Sequence, residues 1–232
     1  MRDESHLRQI AIPTLAEVTG ATAIALDFET ASPSAGSICS IGLAWIVAGR
    51  VARVAHRLVR PHDMRFSPGF IAIHGIEPCD VEDEPEFPAI WDELAPHLEA
   101  TPLLLAHNAP FDIGVLRAAL QHYGIAAPGF GFLCTVKIAR AAWPEMENHK
   151  LATVAAHLGL DLRHHAADSD AAACANIALL AAQGAALPDM LPRWGITPGR
   201  LEGDYYEACS SARDRQASFR RHRPPPWLRG GM

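Results

Sequence analysis

The sequence predicts an α/β domain built on a mixed β-sheet, and three observations support this. Three apolar runs follow one another through short links early in the chain, as expected for neighbouring strands. Strands and helices then alternate up to about residue 182, a pattern typical of βαβ units. A length of 232 residues with 49% hydrophobic residues suffices for one domain with a sizeable core. We therefore expect a mixed five-stranded sheet flanked by helices.

The five predicted strands are short apolar runs bounded by turn residues. They cover Ala21–Phe28, Ile38–Val47, Val51–Val59, Leu103–Ala106 and Phe132–Thr135. Ala48 and Gly49 form a tight link, so the second and third strands are expected to pair antiparallel.

The predicted helices have apolar residues three and four positions apart, or carry start and stop signals. They cover Pro68–His74, Phe87–Leu98, Phe111–Tyr123, Val136–Trp143, Lys150–Leu158 and Ser169–Ala182, with a short leading helix over Pro13–Val18. Asp168 is expected to cap the last helix, because an aspartate side chain accepts from free backbone N–H groups there. The acidic stretch Glu77–Glu86 is predicted to be a solvated loop.

Changes in composition divide the chain into three parts. We predict an N-terminal extension over residues 1–18, a central domain over 19–186 and a C-terminal extension over 187–232. From Leu187 the regular patterns fade, and proline and arginine accumulate up to Pro224–Pro226. The last part is therefore expected to be poorly packed, with solvated arginines.

The bulk composition limits the classes of function. A net charge of −6 is unsuited to tracking long stretches of nucleic acid, although a metal site can still bind a strand end. The five cysteines are scattered without a close pair, which favours a reducing compartment over a disulfide framework. No apolar run approaches the ~20 residues of a membrane span, and no signal peptide is recognisable. We expect a cytoplasmic protein with no membrane partner.

Asp27 and Glu29 end the first strand and are the strongest indication of chemistry. Residues two apart in a strand point to the same face, so the two carboxylates lie side by side. Such a pair repels unless a cation lies between its members. Asp112 and Asp170 stand in the first turns of later helices, and strand ends and helix starts cluster at one rim of an α/β sheet. The pattern predicts a site for two hard divalent cations such as Mg²⁺.

His165 precedes Asp170 in a loop and is the candidate general base, since its ordinary pKa of about 6.5 suits proton transfer near neutral pH. A zinc site formed by His164, His165 and Asp168 is an alternative, but it lacks a fourth ligand of the usual kind.

Three motifs occur in order along the chain. They are Asp27-Phe28-Glu29-Thr30, His107-Asn108-Ala109-Pro110-Phe111-Asp112 and His165-Ala166-Ala167-Asp168-Ser169-Asp170. Together they resemble the exonuclease motifs of the DEDDh, or DnaQ-like, 3′–5′ exonucleases, the group that includes the proofreading ε subunit of bacterial DNA polymerase III. The resemblance covers about Ala21–Ala182.

The resemblance implies a ribonuclease H-like fold and a site with two Mg²⁺ or Mn²⁺ ions. Asp27, Glu29 and Asp170 would hold the first ion, Asp27 would bridge to the second, and Asp112 would act mainly through water. His165 would activate the attacking water. The residues that would contact the terminal nucleotide are Phe28, Thr30, His74, Asn108 and Phe111. His74 is equally compatible with a structural role.

The implied reaction is hydrolysis of phosphodiesters at the 3′ end of single-stranded or frayed nucleic acid, releasing nucleoside 5′-monophosphates. DNA is favoured over RNA as the substrate, and the choice between them stays open. A polymerase-associated nucleic-acid-binding module in which catalysis is secondary is the alternative. A DNA polymerase partner and a homodimer are both left open.

Overall fold

The computed structural model describes residues 7–34, 36–101 and 103–215. Its main feature is a seven-stranded mixed sheet with the order β3-β2-β1-β4-β5-β7-β8. The strands of this sheet are β1 Ala21–Thr30, β2 Ile38–Val47, β3 Arg50–Leu58, β4 Leu103–Ala106, β5 Phe130–Cys134, β7 Gly199–Glu202 and β8 Tyr205–Glu207. Two further short strands, β6 Ile196–Thr197 and β9 Ser210–Ser211, pair with each other.

The direction of the strands places the ends of β1 and β4 at the same edge. β1 pairs antiparallel with β2 and parallel with β4, and β4 pairs parallel with β5. The predicted α/β class with a mixed sheet is confirmed, and the five predicted strands form the first five strands of the sheet in chain order. The expected number of five strands is too small, because β7 and β8 extend the sheet beyond β5.

Besides a helical stretch over 212–215, eight helices and one short 3-10 helix have both ends among the described residues. They are the 3-10 helix Leu15–Val18, α1 Pro68–His74, α2 Pro78–Val81, α3 Phe87–Ala100, α4 Ala109–Tyr123, α5 Thr135–Ala142, α6 Leu151–Leu158, α7 Ala167–Ala182 and α8 Leu187–Trp194. The predicted loop over the acidic stretch Glu77–Glu86 is wrong at α2, where Pro78 begins the helix and the Asp80 side chain accepts from the Glu77 N–H.

The core lies between the sheet and its helices. Helix α7 packs across β1 and β2, and its alanines allow a close approach of the helix to the strands. Trp45 is fully buried on β2 and donates its indole N–H to His97 of α3. The N-terminal segment also joins the domain, because Ile10 bridges to His56 of β3 and the Arg8 carbonyl accepts from the His56 ring.

The expectation of a poorly packed segment from Leu187 is wrong for the part that the structure describes. Leu187, Met190 and Trp194 of α8 are buried in the main core. Gly199 of β7 lies directly against the ring of Phe132, and the strand pairs antiparallel with β5. The predicted extension beyond residue 215, including Pro224–Pro226, lies outside the described residues.

No single described helix is long and apolar enough to cross a membrane. Helices α7 and α8 together meet that test by length and composition, but they are bent by 70° relative to each other, and α7 is packed against the sheet.

Candidate active site

Three predicted carboxylates meet where β1 ends. Ligand oxygens of Asp27, Glu29 and Asp170 all lie within 4.8 Å of one another. Asp27 and Glu29 share one face of β1, and Asp170 lies in the first turn of α7. Glu29 and Asp170 are buried, and Asp27 is partly buried. The structure therefore brings Asp170 of α7 together with the two acids of β1, from which it is separated by more than 140 positions in the sequence.

Asp112 lies beside this cluster in the first turn of α4. Its side chain is almost fully buried, and its Oδ1 accepts from the backbone N–H of Phe28 at 3.2 Å. This hydrogen bond links α4 to β1 between the two acids of the strand. Among the described residues, Asp112 is outside the group whose oxygens share the 4.8 Å limit, and its role through water stays a prediction.

Burial and mutual repulsion raise the pKa of these acids. Burial raises the pKa of Asp27 well above its usual value, and the charges of Asp112, Asp170 and Glu29 add to the effect. Burial raises the pKa of Asp112 to about 8, although the Phe28 N–H opposes the shift. Burial also raises the pKa of Glu29 and of Asp170. A buried group of acids that resists ionisation is the electrostatic setting that a cation relieves.

The loop before α7 carries two histidines that face the acids. His165 Nδ1 lies 3.8 Å from Glu29 Oε1, and this contact raises the pKa of the imidazole. The His165 backbone N–H donates to Asp170 Oδ2 at 3.1 Å, while the residue adopts a left-handed φ of 67°. His164 Nδ1 lies 3.2 Å from the same Asp170 oxygen, and the two imidazoles stack with centroids 3.8 Å apart. The loop is thus tied to the carboxylates at both histidines.

Asp168 has a different role from the predicted one. Ala166 is the N-cap of α7, so Asp168 stands inside the first turn and does not cap the helix. Its Oδ2 accepts from the Arg163 guanidinium at 2.7 Å. The alternative zinc site with Asp168 is therefore wrong in its third residue, because the potential ligand group at this loop contains His164, His165 and Asp170.

Gly42 allows α7 to reach the end of β1, and sequence reasoning missed it. It lies on β2 directly opposite Asp27. A Cβ atom at this position would lie 1.9 Å from the Ala167 carbonyl oxygen and 2.5 Å from the Asp168 backbone nitrogen. The first turn of α7, and with it Asp170, could not pack this closely over any other residue. A glycine inside a strand indicates close backbone approach, which is the signal that could have identified it.

The residues present fit a divalent cation. Asp170 Oδ1 is buried and has no hydrogen-bond partner among the described residues. An unpaired buried carboxylate oxygen carries a large desolvation cost unless a cation binds it. The neighbouring donors are carboxylate oxygens, which hard cations such as Mg²⁺ and Mn²⁺ prefer.

The sequence model of a protein family described as Exonuclease matches residues 24–178. The chain belongs to this exonuclease family. The matched range contains all five candidate catalytic residues, which are Asp27, Glu29, Asp112, His165 and Asp170. The resemblance to DnaQ-like exonucleases is thereby confirmed.

Similarity to individual proteins agrees with this family assignment. The chain is 30% identical over 155 residues to the DNA polymerase III PolC-type of Oceanobacillus iheyensis, covering 66% of this chain and 11% of that protein. It is 33% identical over 128 residues to Exodeoxyribonuclease 10 of Escherichia coli K12, covering 55% of this chain and 51% of that protein. The chain therefore spans about a tenth of the first relative and half of the second.

A solved structure described as Exonuclease X in complex with 5′ overhanging duplex DNA shares the fold. It is 25% identical in sequence, with a TM-score of 0.57 that covers 75% of this chain and 99% of that one. The predicted ribonuclease H-like fold class is confirmed.

The residues predicted to contact the nucleotide fall into an exposed and a buried group. Phe111 is 46% exposed and Asn108 is exposed, so both present side chains to solvent at the start of α4. Asn108 adopts a left-handed φ of 72° as the N-cap of this helix. The Phe28 ring is only 3% exposed and packs in the core, so it offers no face to a nucleotide. Its backbone N–H, donated to Asp112, is the contribution of Phe28 to the site.

Thr30 and His74 belong to the buried group. His74 accepts from the Ile76 backbone N–H at its Nδ1, so its Nε2 carries the proton and donates to the Thr30 carbonyl at 3.1 Å. A carbonyl only accepts and a backbone N–H only donates, which fixes this tautomer. His74 therefore holds the end of β1 against α1, and a direct contact of its ring with substrate stays a prediction.

Proposed function

We propose that this exonuclease is a metal-dependent 3′–5′ enzyme that hydrolyses phosphodiesters at the 3′ ends of single-stranded or frayed DNA. The observation that carries the proposal is the convergence of Asp27, Glu29 and Asp170 within 4.8 Å, with His165 in contact with Glu29. The membership in the exonuclease family supports the reaction class. The relative named Exodeoxyribonuclease 10 and the DNA-bound Exonuclease X favour DNA over RNA.

The carboxylates have the proposed role of holding two Mg²⁺ or Mn²⁺ ions. Asp27, Glu29 and Asp170 would hold the first ion, Asp27 would be shared with the second, and Asp112 would act through water. Two such ions supply Lewis acidity, stabilising charge on the attacking and leaving oxygens of a phosphodiester. The buried, unpaired Asp170 Oδ1 supports this assignment, since a cation would satisfy it.

His165 has the proposed role of accepting the proton of the attacking water. Its Nδ1 faces Glu29, which leaves Nε2 as the atom for proton transfer. The Glu29 contact raises the pKa of the ring, which strengthens it as a base. The hydrogen bond from its backbone to Asp170 positions the loop that carries it. The products would be a nucleoside 5′-monophosphate and a strand shortened by one residue.

The test is a time course on 5′-labelled single-stranded DNA and RNA of the same sequence, with Mg²⁺, with Mn²⁺ and with EDTA. The expected result is a ladder of DNA products shortened from the 3′ end, present with either metal and absent with EDTA. The His165→Ala variant is assayed alongside the wild type. Its control is His157→Ala, which removes an exposed histidine from α6. Absence of cleavage in both metals, or cleavage that persists in EDTA, would contradict the proposal.

A second candidate is a nucleic-acid-binding module that works beside a polymerase. The similarity to part of a PolC-type polymerase III favours a polymerase partner. Stable co-elution of the purified chain with a replicative polymerase, together with negligible hydrolysis by the chain alone, would support this candidate.

Light scattering of the chain alone tests the homodimer left open by the sequence. The five cysteines are all free, which supports a reducing, cytoplasmic location.

A further inference from the structure

A groove that begins at the residues just before α4 is lined by three cationic side chains. Its volume is about 760 Å³. Its lining comes from α5, from the segment 144–150, from Arg213 after β9, and from His107 and Asn108 at the start of α4. The three cationic side chains that line it are Arg140, Lys150 and Arg213.

The three cations are exposed and are not neutralised by the rest of the described chain. None of them forms an ion pair with a described residue, whereas Arg57, Arg60, Arg65, Arg163 and Arg200 do. Glu147 is the one acid among the described residues that line the groove. A local concentration of positive charge is notable on a chain with a net charge of −6.

The backbone next to Arg213 is anchored by a defined set of contacts. Its neighbour Asp214 forms an ion pair with Lys137 of α5 at 2.5 Å, and the same carboxylate oxygen accepts from the backbone N–H and the hydroxyl of Ser211 at 2.7 Å. These contacts anchor the segment after β9 to α5. Arg213 lies outside residues 24–178, the range that the family model matches, so this part of the groove belongs to this chain's own C-terminal segment.

The groove shares the start of α4 with the candidate active site, because His107 and Asn108 line it and Asp112 stands in the first turn of that helix. Asn108 is the N-cap of α4 and precedes Asp112 by four residues, a spacing of roughly 6 Å along a helix axis. The neighbouring His107 donates from Nε2 to the His149 carbonyl at 3.0 Å, which ties the segment 144–150 to the start of α4. A strand whose 3′ end lies at the acids could therefore continue past Asn108 and between the three cations.

We propose that this groove binds the phosphodiester backbone of the nucleotides that precede the 3′ end of a single-stranded DNA substrate. The proposal rests on the proposed exonuclease function, and it adds Arg140, Lys150 and Arg213 as substrate-holding residues. Arginine and lysine bind phosphate oxygens, and each neutralised phosphate of a single strand releases counterions. The groove contributes binding of the strand, and the acids carry out hydrolysis.

The first test measures binding without hydrolysis. The 232-residue chain in EDTA is titrated against a long 5′-fluorescent oligothymidylate, and anisotropy is recorded over a series of salt concentrations. The triple variant Arg140→Ala/Lys150→Ala/Arg213→Ala is expected to bind on the order of 10-fold more weakly, with the slope of log affinity against log salt reduced by about 0.7 for each lost phosphate contact. Arg50→Ala, which removes an exposed cation from β3 at the opposite edge of the sheet, is expected to match the wild type. Equal effects of the triple variant and Arg50→Ala, or an unchanged salt slope, would overturn the proposal.

The second test separates the groove from the chemistry. With Mg²⁺, the triple variant is expected to lose kcat/KM on the oligothymidylate and to keep the wild-type rate on the p-nitrophenyl ester of thymidine 5′-monophosphate, which is too small to reach the groove. Equal losses on both substrates would overturn the groove proposal. If the wild type cleaves neither substrate while the binding loss persists, the proposed function fails and the groove stands. A matched oligouridylate tests the substrate class, because a loss confined to RNA would contradict the assignment to DNA.

Discussion

At the scale of single residues, His165 is the side chain whose predicted role is the most specific. It faces Glu29 at 3.8 Å and is still partly exposed, so water can reach the ring. We expect His165→Ala to lower kcat by about 10²–10⁴-fold, the usual contribution of a general base. Binding of single-stranded DNA in EDTA should be unchanged. Single-turnover kinetics check the prediction, and a variant with wild-type kcat would exclude His165 as the base.

Asp27 connects catalysis with stability. Burial and three neighbouring carboxylates raise its pKa, so the metal-free site opposes its ionisation. We expect Asp27→Asn to abolish hydrolysis and to increase the free energy of unfolding in EDTA, on the order of 1 kcal/mol, because a neutral amide removes the repulsion. Thermal unfolding in EDTA measures this effect, with the exposed Asp161→Asn as the control. Destabilisation by Asp27→Asn would argue against a repulsive site.

The raised pKa of Asp112 predicts that the stability of the fold depends on pH. This pKa rises from 3.8 to about 8 in the folded chain, mainly through burial. Between these values the unfolded chain loses this proton while the folded chain keeps it, so the free energy of unfolding in EDTA should fall as the pH rises from about 4 to 8. Asp112→Asn should flatten this fall. Urea unfolding across the range tests it, and identical pH profiles for the two proteins would contradict the assigned shift.

At the scale of elements, the crossing of α7 over β2 assembles the site. Gly42 lies opposite Asp27, and the backbone of Ala167 and Asp168 occupies the space that a side chain would fill. We expect Gly42→Ala to displace the start of α7, to lower the free energy of unfolding by about 1–3 kcal/mol and to reduce activity more than tenfold, since Asp170 moves with the helix.

Gly114→Ala is the matched control for this change. Gly114 lies in α4, and a Cβ atom there meets no other group within 4 Å. The control should be stabilised by about 0.5–1 kcal/mol, because alanine favours a helix more than glycine does. Activity and urea unfolding of both variants test whether the close approach of α7 to Gly42 is required. Wild-type activity in Gly42→Ala would show that the close approach is dispensable.

At the scale of the whole molecule, the segment after Ala186 is part of the domain. Four side chains of this segment are buried in the main core: Leu187, Met190, Trp194 and Leu201. Strand β7 of the same segment pairs with β5. We expect a chain that ends at residue 186 to lose several kcal/mol of stability, because burial of each such side chain contributes about 1.5–3 kcal/mol. A chain that ends at residue 215 retains every contact described above and is the control. Denaturant unfolding compares the two, and equal midpoints would contradict the role of this segment.

The C-terminal segment also shows which kinds of secondary structure the sequence pattern does not predict. Helix α8 contains Pro192, and strands β6 to β9 have two to four residues each. Segments this short carry little periodicity, so their local signal cannot be distinguished from that of a loop. Their structure depends on packing against partners already in place, such as the stacking of Tyr206 on Phe132 with centroids 6.0 Å apart.

The sequence by itself determined the strands β1 to β5, the identity of the acids and the family. Those features depend on local periodicity and on residue types at fixed spacing, which a chain carries without its fold. The predicted start of α1 at Pro68 and the bounds of β2 and β4 agree with the structure for this reason.

Only the tertiary structure decided what depends on contacts between distant segments. The closeness of Asp170 to Asp27 requires Gly42 on a third element, and the buried rings of Phe28 and His74 are distinguished from the exposed Phe111 only by packing. The three cations of the groove, Arg140, Lys150 and Arg213, lie up to 73 positions apart in the sequence. The Lys137–Asp214 ion pair joins the segments that carry Arg140 and Arg213. Such features follow from long-range burial and charge pairing, which no local pattern encodes.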